Sequence, residues 1–110
     1  MEWMCESFDA LGSSLLYRIL AARNAVFVVE QQCPYQDIDG RDPHSLHLVA
    51  QVRDAADALQ IAAYLRLLPP GVAYDEASIG RVITAASHRG TGLGRELLTR
   101  AVAIADEAWP

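Results

Sequence analysis

The sequence contains no lysine, and its nine basic residues are arginines scattered along the chain. Nucleic-acid binding needs clustered cations against phosphate, so this pattern argues against such a partner. Cysteine is scarce: Cys5 and Cys33 lie far apart, with no Cys-x-x-Cys spacing. Two such cysteines make no disulfide framework, and a reducing, cytoplasmic setting is the expectation. No apolar run is long enough to cross a bilayer. The N-terminus, Met1-Glu2-Trp3-Met4-Cys5-Glu6, lacks the basic and apolar segments of a signal peptide. There are no repeats or low-complexity stretches. What remains is a chain of 110 residues, 52% hydrophobic and 21% charged, with a formal charge of −5. That is enough chain for one domain, residues 1–110, with a real core.

The most informative stretch runs from Ile79 to Gly94. Ile79, Arg81 and Ile83 alternate with Gly80, Val82 and Thr84, which predicts a strand with those two sets on opposite faces. Leu93, Leu97, Ala101, Ala105 and Ala108 then mark one face of a helix closing near Trp109-Pro110. Between them stand Gly90, Gly92 and Gly94. Glycines at a strand-to-helix junction let the backbone turn tightly and approach a ligand. The free amides that open the helix, with the positive end of its dipole, suit a phosphate. The spacing is wrong for a dinucleotide-binding Gly-x-Gly-x-x-Gly, and Arg95-Glu96 stands where a P-loop needs Lys-Ser or Lys-Thr. On these residues alone, an ordinary glycine turn before a helix is an equal alternative.

Upstream, Trp3 to Phe8 predicts a short strand. Gly12-Ser13-Ser14 predicts a helix start capped by a serine. The helix runs to about Val29, with Leu15, Ile19, Ala22 and Val26 on one face and Leu16, Leu20, Arg23 and Phe27 beside it. Residues 30–44 form a loop rich in Pro, Gly and Asp. Asp37, Asp39 and Asp42 do not have the spacing of an EF-hand, and turn chemistry explains them more simply than a metal. Leu46 to Arg53 and Gln60 to Leu68 predict an antiparallel pair of strands. In the second, Ile61, Ala63, Leu65 and Leu67 share a face. The order strand, helix, strand, strand, strand, helix is an α/β (α+β) layout: a mixed, mostly antiparallel sheet flanked by helices.

Arg89-x-x-Gly92-x-Gly94 resembles the acetyl-coenzyme A signature of the GNAT N-acetyltransferases, Arg/Gln-x-x-Gly-x-Gly/Ala. The run from Arg23 to Asp42, together with Tyr64-Leu65-Arg66-Leu67 and Ile79-Gly80-Arg81-Val82, is similar to the ElaA-like members of that superfamily. The resemblance covers nearly the whole chain. It implies the GNAT (acyl-CoA N-acyltransferase) fold, acetyl-CoA as co-substrate, an amine acceptor and no metal. It also implies that backbone groups of Val82, Ile83 and Thr84 pair with the pantetheine, and that Arg89, Gly90, Thr91, Gly92, Leu93 and Gly94 hold the pyrophosphate. The family pattern continues beyond the Trp-Pro with a strand, a helix and two further strands. The expectation is therefore a GNAT domain truncated at its C-terminus, with half of the pantetheine slot. An uncovered edge there is a template for a homodimer.

The reaction implied is acetyl transfer to an amine; the alternative is a non-catalytic acetyl-coenzyme A-binding module. The residues single out no catalytic base or acid. Glu30, at the start of the loop, is a candidate base, but a solvated charge is the simpler reading. His47 is a candidate relay, against a hydrogen-bonded structural histidine. His88 lies beside the glycine turn, where a solvent-facing role is more usual. Arg66 and Arg81, on strands, each need a carboxylate, with the loop aspartates as candidates. Cys33 reads as packing, Tyr35 as lining the acceptor site or capping the core, and Trp3 and Trp109 as core or edge aromatics. The acidic balance tilts slightly toward a cationic acceptor.

Overall fold

A computed structural model describes residues 1–32 and 36–110. Four strands form one sheet in the order β1 (Glu2–Ser7), β2 (Leu46–Arg53), β3 (Leu59–Leu68), β4 (Ser78–Thr84), each antiparallel to its neighbour. The short α1 (Phe8–Leu11) and α2 (Ser13–Arg23) cover one face, and α3 (Leu93–Ala108) covers the other. This is the sheet flanked by helices that the residue pattern predicts.

The core is split by the sheet. On the α3 face, Leu93, Leu97 and Ala101 pack against Leu48, Ala50, Ala63, Leu65 and Leu67. On the other face, Leu11, Leu15 and Ile19 pack against Val49, Tyr64 and Ile83. Arg100 lies over the Trp3 ring, 4.2 Å from its centroid, and joins α3 to β1. Trp3 and Trp109 both pack at the margin of the α3-side core.

Phe8, predicted as the end of the first strand, instead opens α1. Four further local features differ from the predicted pattern. The cap of α2 is Gly12, with no side-chain hydrogen bond, rather than a serine. The last turns of the first helical run, Asn24–Glu30, are π-helical. The two remaining differences are bulges. At the first, Ala50 pairs with Ala63 but Gln51 pairs with Ile61, which leaves Ala62 as an extra residue. Ile61 therefore packs on the α2 side, opposite Ala63, Leu65 and Leu67. At the second, Arg66 pairs with Gly80 and Tyr64 with Ile83, so Arg81 and Val82 stand against Leu65 alone. Ile79 packs on the α3 side and Ile83 on the α2 side, not on one shared face. One inserted residue inverts a period of two, and simple alternation does not detect it.

Candidate functional site

The glycine turn joins β4 to α3 at the sheet's edge. Among the described residues no strand pairs with the outer side of β4. Val82 is exposed there, while Ile83 is buried in the α2-side core and Thr84 is half-buried. A 3-10 turn, Ala86–His88, follows. Gly90 has φ +79° and Gly92 φ +84°, the left-handed region that glycine enters without strain. Gly92 caps α3 and offers no side chain, so the first amides of a 16-residue helix have no side-chain cap. Leu93 anchors the helix start in the core. Gly94 brings that start close to β4: a Cβ on it would stand 3.4 Å from Thr84 Oγ1. Thr91 Oγ1 donates to the His88 carbonyl at 2.6 Å and closes the turn. The nine residues from Val82–Thr84 and Arg89–Gly94 thus stand on either side of the Ala86–His88 turn; Val82, Arg89, Gly90, Thr91 and Gly92 are exposed, while Ile83 and Leu93 are buried.

Arg89 does not stand free over the turn. Its Nε donates to the Thr84 carbonyl at 3.0 Å, and its two terminal nitrogens donate to both oxygens of Glu30 at 2.6 and 2.9 Å. Both side chains are about half exposed. The Arg89 hydrogen bonds hold the Glu30 carboxyl below its ordinary range. A base working near neutrality needs the opposite shift, so this arrangement does not favour Glu30 as the base. Sequence spacing offered no sign of a pair 59 residues apart.

The three loop aspartates and three arginines form a closed ring. Arg23 donates to Asp37 and Asp42, each at 2.8 Å. Arg66 donates to Asp42 at 2.9 Å and to Asp39. Arg81 donates to Asp37 at 2.8 Å and reaches Asp39 at 3.4 Å. Every carboxylate thus contacts two guanidiniums and every guanidinium two carboxylates. Arg66 and Arg81 find the carboxylates they were expected to need. Arg23, fully buried in the apolar stripe of α2, was the unexpected member. The Arg66 hydrogen bonds hold Asp39 well below the usual carboxylate range. For Asp42, burial opposes the charge, but hydrogen bonds from Arg23 and Arg66 outweigh it and lower the pKa. The three loop aspartates are therefore matched in charge by the three arginines.

His47 is buried. Its Nε2 lies 2.9 Å from the Asp42 carbonyl and its Nδ1 2.7 Å from the Tyr64 hydroxyl. A carbonyl only accepts, so Nε2 carries the proton and Nδ1 accepts from Tyr64. Burial lowers the His47 pKa and raises that of Tyr64. This is the hydrogen-bonded structural histidine. His88 Nδ1 lies 3.0 Å from Ser87 Oγ on the exposed side of the turn. Cys33 and Tyr35 lie outside the described residues.

A twisted antiparallel sheet between helices, with a glycine turn leading from an edge strand into a long helix, defines an acyl-CoA N-acyltransferase fold. A family model described as the acetyltransferase (GNAT) family matches residues 12–108, and the chain belongs to that family. It is 37% identical to the protein ElaA of Escherichia coli (strain K12), over all of this chain and 70% of that one. It is 38% identical to a UPF0039 protein of Synechocystis, over 93% of this chain and 64% of that protein. The chain thus spans about two thirds of the length of these curated relatives. Among solved structures, an acyl-CoA N-acyltransferase from Pseudomonas aeruginosa superposes with a TM-score of 0.87 at 43% identity, covering 98% of this chain and 72% of that one. Escherichia coli ElaA superposes at 0.89 and 37% identity, covering 99% and 72%.

Proposed function

We propose that the chain transfers an acetyl group from acetyl-coenzyme A to a primary amine, with residues 1–110 working as one domain. The observation that carries this reading is the ribbon in which a strand edge, unpaired among the described residues, leads through residues 85–88 to an uncapped helix start. A strand edge offers backbone donors and acceptors to an extended, amide-bearing chain such as pantetheine. A glycine-walled helix N-terminus offers amides and a positive dipole end to a pyrophosphate. The two requirements of coenzyme A meet in sequence order, with Val82, Ile83 and Thr84 beside the arm and Arg89 to Gly94 around the phosphates. Membership of the GNAT family supports the same reading.

The chemistry asks the protein mainly for position. A neutral amine attacks the thioester carbonyl, the new C–N bond forms, and the C–S bond breaks to release coenzyme A thiolate. The ammonium proton passes to a base or to water, and the thiolate takes one up. Binding both reactants on one scaffold supplies much of the acceleration. An amide donor near the carbonyl would stabilise the oxyanion. A pyrophosphate at the turn would compete with Glu30 for the Arg89 guanidinium, an exchange that an exposed ion pair opposes only weakly.

Thiol release from acetyl-coenzyme A, followed across polyamines, small amines and peptide amines, tests turnover. Release that depends on the amine is expected. Saturable coenzyme A binding without release by any amine would favour a non-catalytic binding module instead.

A further inference from the structure

Arg81 has φ +51° in the middle of β4. Side chains other than glycine enter this region at a cost, and such a conformation persists only where its surroundings over-determine it. The surroundings here are the ionic ring. Arg81 Nε donates to Asp37 Oδ1 at 2.8 Å, and the same guanidinium donates to the Asp37 carbonyl at 3.0 Å and to Asp39 at 3.4 Å. Arg66, the cross-strand partner of Gly80, fixes the other side of the ring.

The register shows what these contacts require. Gly80 lies opposite Arg66, on the face that carries the ring. Regular alternation would leave Arg81 beside Ile79 on the α3 face, turned away from Asp37. Only the bulge turns the Arg81 side chain toward the ring. The same bulge puts Ile83, rather than Val82, opposite Tyr64. Removing it would slide the end of β4 by one residue, about 3.3 Å along the strand, and exchange the faces of Val82, Ile83 and Thr84. Those residues meet the glycine turn through the Thr84 carbonyl on Arg89 and the close approach of Gly94.

We propose that the ring of Arg23, Arg66, Arg81, Asp37, Asp39 and Asp42 holds β4 in its bulged register, and that Arg81 is a positioning residue for the donor site. The loop 37–42 and the β4 ribbon are then one mechanical unit, locked by side chains that touch no donor atom. The functional half of this inference rests on the acetyl-coenzyme A reading above; the register half does not.

Two variants separate the roles. Arg81→Ala leaves the cost of positive φ in place and removes the lock. Arg81→Gly also removes the lock but enters positive φ freely. The readouts are cross-strand proton contacts of Tyr64 by NMR and coenzyme A affinity by calorimetry. In Arg81→Ala, Tyr64 is expected to exchange Ile83 for Val82 as its partner, with affinity falling about tenfold or more. In Arg81→Gly, Tyr64 keeps Ile83 and affinity stays within about threefold. An Arg81→Ala variant that keeps the Tyr64–Ile83 contacts overturns the proposal. If Arg81→Ala does not fold, Arg81→Lys replaces it, retaining the charge without the fork. Two registers in exchange at Val82–Thr84 support the lock, and a single unchanged register overturns it. If the unmodified chain binds no coenzyme A, the donor reading fails, and the register contacts alone decide whether the ring is a lock.

Discussion

Burial favours the neutral form of His47, and this gives the fold a pH dependence of definite sign. Burial lowers its pKa from the reference value of 6.5. The unfolded chain therefore takes up a proton before the native state does. Stability is full above about pH 6.5 and falls as the pH drops toward the folded pKa, by at most about 1.4 kcal/mol per pH unit. Asp39 and Asp42 act in a separate window. Their folded pKa values lie below the reference value of 3.8, so their contribution persists above it and is lost only under stronger acid. Urea melts at pH 7 and pH 5.5 should show the His47 slope in the unmodified chain and its absence in His47→Gln. Equal slopes in both would contradict the assignment.

The ionic pairs differ by burial. Asp42 is 4% exposed and serves two buried arginines. Asp42→Ala would leave both guanidiniums short of a partner, at a cost of about 3–5 kcal/mol. Glu96 and Arg100 form an i,i+4 pair at 2.8 Å on the surface of α3, and Glu96→Ala should cost about 0.5 kcal/mol or less. Equilibrium unfolding of the two variants checks the contrast, and similar losses would mean that the ring does not hold the loop.

At the scale of elements, the start of α3 depends on Gly92. Nothing lies within 4 Å of a Cβ built on it, so its constraint is the backbone angle of +84° rather than space. Gly92→Ala should lower stability by about 1 kcal/mol, read as a drop in melting temperature. The strands, the helices and this turn were legible because alternation, four-residue spacing and glycine placement are local signals. The bulges at Ala62 and Arg81 were not, since an inserted residue is visible only in the pairing register. The π-helical stretch reads as helix in Asn24–Val29 because its apolar residues fit either winding. Arg23 was legible only as one member of an apolar stripe, while the need of Arg66 and Arg81 for carboxylates followed from placing charges on strands. Closure of the ring is a three-dimensional fact that no spacing in the chain encodes.

At the scale of the whole molecule, the sheet divides two kinds of work. One face buries α1 and α2 and carries the ring and His47; the other buries α3, whose first turn meets the edge of β4. No helix among the described residues is long and apolar enough to cross a membrane. On the function proposed above, the edge of β4 is where the donor arm would add as a strand. A phosphate site at the glycine turn is tested by calorimetric titration of the chain with coenzyme A and acetyl-coenzyme A, beside Gly92→Glu and Gly92→Ala. Both variants carry the same backbone strain, but only the first places a carboxylate at the turn. Saturable binding that alanine largely preserves and glutamate abolishes is the predicted result. No binding by the folded, unmodified chain, or equal binding by the glutamate variant, would contradict a phosphate site at the glycine turn.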